Sequence, residues 1–481
     1  MTLLAFVAVA LGTMVIAIVG RGRPWLASLA GFGGLALLVP LALAIRPDEI
    51  LEIGGGVVVT SAYARLFLVL GAVLGLVLAF VGVAAGTRRD APAVSLGTLT
   101  GAALALALPD ARIAVLAITA SGLAAVLATL VPAGGAAAVT IAVRDLRVVV
   151  LAGAVAVAAA AWVVRPLGDL AGQPAIFGLA YLGFALAVAA RFGAIPFHLW
   201  AARLSDVAPE VTLPVVTAWG PAAFAVVALA WIDSSVAPVL PGLDAERSIV
   251  LVVAVASVVL AAFAAWIQDD LEHVVAYSIV GDAGIVLLGL AALDPAAWAP
   301  ARVWILAFIA TRSAFAAWAA AVRATSWTGR IDDLRGWAVR SPVLAIAFGL
   351  IATASVGFPG LAAFQARGEL VRLNVGGALG TIVLLGTLLP VAYYARLAAV
   401  GLRRPLRAPR TSGGWRLRGQ RVDLTAVQNS GWRLWELNRT ALAAVLVVAI
   451  AGLAFGVAAG AFGIPDAAAA APPTLPGGPT D

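Results

Sequence analysis

Seven charged or titratable side chains stand within or beside long apolar stretches, where they are able to hold charge or pass protons. Asp282 and Arg312 each lie about ten residues into an apolar segment, near the middle of a spanning helix at a rise of about 1.5 Å per residue. A charge at the bilayer centre costs about 2.5–3.5 kcal/mol, so these two are expected to pair. The other five candidates lie at helix interruptions and helix starts: Arg191, His198, Glu210, Arg367 and Glu369. Proton transfer is the functional interpretation, and the locking of helices by buried pairs is the structural one.

Two apolar segments are interrupted by glycine and proline together, at 193–196 and at 357–360. Proline removes a backbone donor and clashes with the preceding turn, so a helix must break there. Broken backbone at membrane depth is tolerated only where it lines protein or a wet cavity. Arg191 and Arg367 flank the two breaks, which predicts that they face an ion path near the midplane. The alternative is an ordinary helix end whose arginine extends to the interface.

His198 follows the first break between Pro196 and Trp200, and Glu210 opens the next segment. We expect His198 and Glu210 to lie side by side, where both are able to exchange protons. Capping of the broken helix is the structural alternative for the histidine.

The composition indicates a membrane protein. Apolar residues make up 63% of 481 positions and charged residues 11%, against about 45–50% and about 25% in soluble domains. Cysteine is absent and histidine occurs only at positions 198 and 273, which excludes disulfides, thiolate clusters and a multi-histidine metal site. The net charge of +7 resides in short loops between apolar segments, which favours a membrane over a nucleic acid as partner.

The hydropathy pattern predicts an all-α polytopic membrane protein of about fourteen spanning helices. The apolar segments fall at 2–20, 25–45, 63–86, 93–108, 111–131, 147–164, 174–195, 209–232, 248–267, 273–293, 300–322, 341–374, 377–400 and 440–463. Threading them from an outside N-terminus puts 21 arginines on one side and 7 on the other, with 3 inside segments. This bias predicts a bacterial-type inner (plasma) membrane protein with both termini outside.

The two breaks lie five segments apart in opposite orientation, as inverted repeats around a midplane ion path would place them. The predicted organisation has broken seventh and twelfth helices and two inverted five-helix repeats. Its parts are N-terminal helices in 1–90, repeats in 91–232 and 248–400, a basic cytoplasmic loop with an interfacial segment in 401–439, a last helix in 440–463 and a disordered tail in 464–481.

Three stretches resemble one family of membrane subunits. They are RFGAIPFHLWAARLSDVAPEVTLPVVTAW at 191–219, QDDLEHVVAYSIVGDAG at 268–284 and LRGWAVRSPVLAIAFGLIATASVGFPGLAAFQARGEL at 334–370. They are similar to signatures of the antiporter-like, proton-translocating subunits of respiratory complex I and of Mrp antiporters. Chain length and the third stretch favour the quinone-proximal subunit N over the longer L and M types.

The chain departs from that family at the positions of its proton route. The family has Glu in the fifth helix, Lys in the seventh and eighth, and Lys or Glu in the twelfth. The corresponding residues here are about Thr119, Arg191, about Gly220 and Arg367. Arginine does not give up its proton in proteins. Proton carriers are therefore expected among the other titratable groups: Asp282, Glu210, His198 and Glu369.

The resemblance implies a membrane-arm subunit of a complex I-like NADH:quinone oxidoreductase, taking part in proton translocation through buried charges at helix breaks. It implies that the chain carries no redox centre and binds no cofactor itself, while the assembled complex uses NADH and quinone. The expected partners are other membrane subunits and the lipid bilayer. Two alternatives remain open: a subunit of a cation/proton antiporter complex, and a degenerate, non-pumping scaffold paralogue.

Overall fold

The structure, a computed structural model, is a helical bundle. It describes residues 2–53, 56–86, 91–130, 135–163, 174–235, 243–326, 328–404, 416–417, 420–421 and 430–470. The helices in these ranges are α1 Thr2–Val19, α2 Pro24–Ala44, α3 Ala62–Ala84, α4 Ala91–Ala107, α5 Ala111–Leu130, α6 Gly135–Trp162, α7 Pro174–Phe192, α8 Leu199–Leu204, α9 Gly220–Ser235, α10 Asp244–Ile267, α11 Leu271–Ala292, α12 Trp298–Ser326, α13 Trp337–Arg340, α14 Pro342–Val356, α15 Ala362–Asn374, α16 Gly377–Gly386, α17 Pro390–Leu402, α18 Ser430–Ala458 and α19 Ile464–Ala469.

Within these ranges, 11 helical stretches are long and apolar enough to cross a membrane, and up to 12 if the bent pair α13–α14 counts as one. The prediction of a multi-pass all-helical membrane protein is confirmed at this level. A helix lies over every one of the predicted apolar segments, but α4 is a shorter apolar helix of 17 residues. Asp110 separates it from α5 and accepts a hydrogen bond from the Arg112 backbone N–H at 2.9 Å. Hydrogen bonding to Arg112 also lowers the pKa of Asp110.

Burial divides the spans into a centre and a periphery. We compare the share of residues that are buried in the most apolar stretch of each span. This share is 100% in Pro295–Ser326, 94% in Glu210–Ser234 and 89% in α11, but only 22% in the span that starts with α1. A helix buried on every side needs no polar face, since neighbouring helices surround it. The residues predicted to lie at midmembrane, Asp282 and Arg312, belong to this centre.

Both predicted helix breaks are present. After α7 the chain turns at Gly193, whose φ of +66° lies in the left-handed region that glycine tolerates best. The side chain of Ser257 on α10 accepts a hydrogen bond from the Ile195 N–H at 2.9 Å, which satisfies backbone freed by the break. The second break separates α14 from α15, and Gly357 there has a φ of +76°. A further bend of 110° separates α13 from α14.

Several boundaries differ from the prediction. The sixth segment starts at Gly135 rather than at 147, so it includes the charged residues that were assigned to a loop. A small antiparallel hairpin, β1 Ile50–Ile53 with β2 Gly56–Val59, was not predicted. A second two-residue pair, β3 Arg416–Leu417 with β4 Gln420–Arg421, lies in the basic loop, most of which is outside the described residues.

The prediction of a disordered tail from 464 is wrong for its first residues. Gly463–Ala470 form the helix α19 and its two caps. The Arg302 guanidinium on α12 donates to the carbonyls of Ala468 at 3.1 Å and Ala470 at 2.9 Å. These bonds satisfy carbonyls that a helix C-terminus otherwise leaves without partners. Residues 471–481 lie outside the described part of the chain.

Candidate functional site

The centre of the bundle contains the predicted ion pair. Arg312 Nε lies 2.8 Å from Asp282 Oδ2, and the two side chains are 0% and 6% exposed. Arg312 also contacts the Tyr393 hydroxyl, with Nη1 3.4 Å from its oxygen. The pairing of Asp282 with Arg312, predicted from their depth in two consecutive segments, is observed. Each charge offsets the large desolvation cost of the other.

Arg367 approaches the same carboxylate from the second helix break. Its guanidinium carbon lies 5.2 Å from the ring centroid of Phe364 and 5.9 Å from that of Trp304, both within the range of cation–π attraction. The Trp304 indole N–H donates to the backbone carbonyl of Asp282 at 3.2 Å. A side chain added at Gly357 would lie 3.2 Å from the Arg367 Nη2. The break thus makes room for a guanidinium whose positive charge acts on Asp282.

A small cavity adjoins the carboxylate of Asp282. Its volume is about 10 Å³, and its lining includes Tyr277, Ser278, Thr387 and Tyr393. About this volume is needed to accommodate one water molecule, provided that the walls supply polar partners. Residues that carry hydroxyl groups and a carboxylate line it here. The cavity can therefore hold one water between Asp282 and the segment at Thr387, whose carbonyl accepts from Arg367.

A second group of charges lies at one end of α11 and α12. Arg323 Nε is 2.7 Å from Glu210 Oε1, and Arg323 Nη1 is 2.7 Å from Glu272 Oε1. Glu210 is only 1% exposed. Two carboxylates share one guanidinium, so the triad carries a net negative charge when all three are ionised and is able to accept a proton.

The partner of Glu210 is Arg323, not His198 as the sequence suggested. His198 instead faces Tyr277 on α11, with ring centroids 6.1 Å apart. Within the described chain, its Nδ1 is buried and has no hydrogen-bond partner. Tyr277 therefore stands between His198 and the cavity beside Asp282. The other histidine, His273, lies 3.5 Å from the carboxylate of Asp206.

Glu369 does not join the other candidates. Its side chain is 49% exposed and its carboxylate pairs with Arg372 at 2.8 Å, one turn along α15. Two residues along an α-helix correspond to a rotation of about 200°. Because Arg367 faces the core, Glu369 faces away from it.

Arg191 belongs to a separate cluster in the first half of the chain. It is in the last turn of α7 and is 4% exposed. Its Nη2 lies beside Gly122 on α5, where an added side chain would be 2.6 Å away. The predicted set thus divides into a central group around Asp282 and a distinct group around Arg191.

Sequence reasoning missed Arg323, Glu272 and Asp145 as site residues. Arg323 follows Arg312 by eleven residues, close to three helical turns, so the two share one face of α12. That spacing was the available signal. Asp145 is fully buried on α6, but it was assigned to a loop between two arginines. Among the residues that the structure describes, no group of three or more His, Cys, Asp or Glu side chains could hold a metal ion.

The fold and the buried charges define a class of helical membrane proteins with intramembrane charges at helix breaks. Residues 164–391 match the family described as NADH:quinone oxidoreductase/Mrp antiporter, transmembrane. This match covers a little under half of the chain and confirms the resemblance seen in the motifs.

Curated relatives show the same resemblance. NADH-quinone oxidoreductase subunit N of Hydrogenovibrio crunogenus is 28% identical over 230 residues, covering 47% of each chain. Subunit N of Rhodococcus opacus is 30% identical over 230 residues, covering 46% of this chain and 41% of that protein. The matched region thus spans about half the length of these relatives.

Solved structures match over nearly the whole chain. A chain of respiratory complex I from Thermus thermophilus has a TM-score of 0.67 at 18% identity, covering 95% of this chain and all of that one. A chain of an archaeal membrane-bound sulfane sulfur reductase has a TM-score of 0.71 at 16% identity, with 95% and 99% covered. A chain of the Mrp complex from Dietzia sp. DQ12-45-1b has a TM-score of 0.68 at 16% identity, with 97% and 100% covered. The antiporter-like fold is common to all three.

Proposed function

We propose that this chain is a membrane-arm subunit of a complex I-like NADH:quinone oxidoreductase and takes part in proton translocation. The observation that carries the proposal is the buried Asp282–Arg312 pair beside a water-sized cavity. A carboxylate held next to a fixed positive charge, with room for one water, is able to receive and release a proton. An ion pair that served only to lock two helices would need no cavity.

The arginines act as fixed charges in this proposal. Arg312 and Arg367 remain protonated, since the guanidinium does not titrate in proteins. They stabilise negative charge on Asp282 and so tune its tendency to hold a proton. Proton carriers are then the carboxylates of Asp282 and Glu210 and the imidazole of His198.

The order of these groups suggests a route. The Glu210–Arg323–Glu272 triad lies at one end of α11 and α12, and Asp282 lies about three turns along α11 from Glu272. Tyr277 lines the cavity of Asp282 and also faces His198. Its hydroxyl can pass a proton while remaining neutral, by donating one hydrogen and accepting another. We therefore place Tyr277 as the connection between the two groups.

The proposed architecture has about fourteen spans. It adds α4 and α6 to the described candidate spans and counts the bent α13–α14 pair as one. The proposed inverted repeats are 91–232 and 248–400, and each then has a break in its fourth helix. Both termini lie outside a bacterial-type inner membrane, with the 401–439 loop on the cytoplasmic side. Other membrane subunits and the bilayer are the partners, and NADH and quinone are used by the assembled complex.

A subunit of an Mrp-type cation/proton antiporter is the second candidate. The TM-scores to the Mrp chain and to the complex I chain, 0.68 and 0.67, are nearly equal. The subunit N relatives and the motifs favour the first candidate. Purification from the native membrane in mild detergent separates the two. Co-purified redox subunits with NADH:quinone reductase activity support complex I, whereas small antiporter subunits with cation/proton exchange and no redox activity support the alternative.

The role of Asp282 is tested in the purified complex reconstituted into liposomes. Asp282→Asn keeps the side-chain volume and an oxygen that can accept from Arg312, so we expect assembly to persist and proton transfer to be lost. Asp332→Asn, at an exposed position of the short 3₁₀ helix Ile331–Leu334, is the matched control and should behave as wild type. If Asp282→Asn does not assemble, the double variant Asp282→Asn with Arg312→Gln removes both charges together. Unchanged proton transfer in either variant would contradict the assignment, and would favour the non-pumping scaffold.

A further inference from the structure

Another buried carboxylate lies outside the central group. Asp145 on α6 is 0% exposed. Within the described chain, neither of its carboxyl oxygens has a hydrogen-bond partner. An ionised carboxylate buried without donors is strongly disfavoured, and buried polar groups are almost always satisfied by protein or by ordered water. Asp145 therefore needs water, a proton, or both.

The guanidinium of Arg191 supplies the neighbouring charge. The point that a side chain at Gly122 would occupy lies 2.6 Å from Arg191 Nη2 and 3.3 Å from Val149 Cγ1. Val149 is one helical turn from Asp145 on α6, so the guanidinium reaches the α6 surface next to the carboxylate. The two attract one another, and Arg144 on α6 is the other cation that acts on Asp145. The structure describes both Asp145 and Arg191, and no direct salt bridge within 4.0 Å joins them. A bridging water would give both groups a hydrogen-bond partner.

Two further elements contribute to the same space. Thr98 Oγ1 on α4 and Arg191 Nη1 are buried, and in the described ranges neither has a hydrogen-bond partner. A side chain added at Gly220, where α9 begins, would lie 3.7 Å from Arg191 Nη2 and 3.9 Å from Thr98 Cγ2. Glycine at position 122 lets the guanidinium pack directly against α5, and Gly220 lies within van der Waals range of it. The polar atoms without protein partners around this guanidinium belong to α4, α6 and α7, and buried polar atoms of this kind are usually satisfied by ordered water.

We propose that Asp145 is a proton-holding residue of the first half of the bundle, coupled to Arg191 through bound water. This inference rests on the proposed function and extends it to a second site. In the step, a hydronium ion gives its proton to one carboxylate oxygen of Asp145 and remains as water. The charge of the Asp145–Arg191 cluster then changes from zero to +1. Arg191 keeps its own proton throughout and raises the cost of that change.

The test uses the whole complex from its native membrane, reconstituted into liposomes, with Asp145→Asn, Asp145→Glu and the control Asp332→Asn. We expect Asp145→Asn to lower proton transfer by about tenfold or more, while quinone reduction and subunit composition stay unchanged. Asp145→Glu should restore most of the transfer because it returns a carboxyl group. Wild-type transfer in Asp145→Asn would overturn the inference, as would equal losses in the Asn and Glu variants.

An infrared measurement keeps the inference separate from the pumping assay. A protonated Asp145 gives a carboxylic acid C=O band that appears on acidification, is absent in Asp145→Asn and shifts in Asp145→Glu. If Asp282→Asn and Asp145→Asn both leave transport unchanged but the band is present, the proposed function fails and Asp145 still holds a proton. If Asp282→Asn abolishes transport and no band is assigned to Asp145, the proposed function stands and this inference fails. If Asp145→Asn does not assemble, the band in Asp145→Glu decides.

Discussion

The two halves of the bundle hold their buried charges in different ways. In the second half, Asp282 and Arg312 form a direct pair at 2.8 Å among aromatic side chains. In the first half, Asp145 and Arg191 attract one another without a direct pair, among glycines. In the direct pair each charge is neutralised by contact with the other, whereas the separated charges have no such contact and depend on water. The comparison indicates that one half is organised for fixed charge and the other for hydration.

The largest expected difference is in stability. Asp282→Ala removes one partner of a direct buried pair and leaves Arg312 uncompensated, which should destabilise the fold by about 3–5 kcal/mol. Asp145→Ala removes a carboxylate that makes no direct salt bridge with Arg191, so we expect a smaller loss of about 1 kcal/mol. Thermal denaturation of the detergent-purified protein, with Asp332→Ala as control, measures both. Equal losses would show that the two halves hold their charges alike.

The connection through Tyr277 should produce a smaller effect. Tyr277→Phe removes the hydroxyl of a residue that lines the cavity of Asp282 and keeps the ring that faces His198. A hydrogen bond to a charged group contributes about 1.5–3 kcal/mol, so proton transfer should fall by about tenfold or more. Tyr63→Phe is the matched control, because the Tyr63 hydroxyl donates to the Arg302 carbonyl, away from the cavity. If both variants transfer protons at the wild-type rate, water alone connects His198 to Asp282.

The smallest effect is expected where one cation replaces another. Arg367→Lys keeps the positive charge near Asp282, so proton transfer should stay within about twofold of wild type or rise, since lysine can also release a proton. Arg191→Lys tests the same substitution in the first half. Initial rates of proton transfer in liposomes are measured for both variants and compared with the wild-type rate. An Arg367→Lys variant that assembles but does not transfer protons would contradict a purely electrostatic role for that arginine.

The sequence predicted the central pair because the residues on both sides of each charge are uniformly apolar. Asp282 and Arg312 each interrupt a long apolar run, so their depth followed from helix rise alone. The two helix breaks were equally accessible, since glycine and proline act on the backbone locally.

The remaining site residues depend on features that local patterns do not contain. Asp145 was missed because the arginines beside it indicated a loop, whereas α6 starts at Gly135 and carries these charges within the helix. Glu369 was included because its distance along the chain from Arg367 is short. The side of α15 that it occupies depends on how the chain leaves the second break. The partner of Glu210 likewise comes from α12, more than a hundred residues away.

The burial of α12 has a consequence for how the chain enters the membrane. This helix carries Arg302, Arg312 and Arg323, and an arginine at the centre of a lone helix, as Arg312 is, makes insertion less favourable by about 2.5–3.5 kcal/mol. The preceding helix, α11, carries the acids Glu272 and Asp282, which neutralise two of these charges. The turn between them is short, from Leu293 to Ala297. We therefore expect α11 and α12 to leave the translocon together as one hairpin, with their opposite charges already joined.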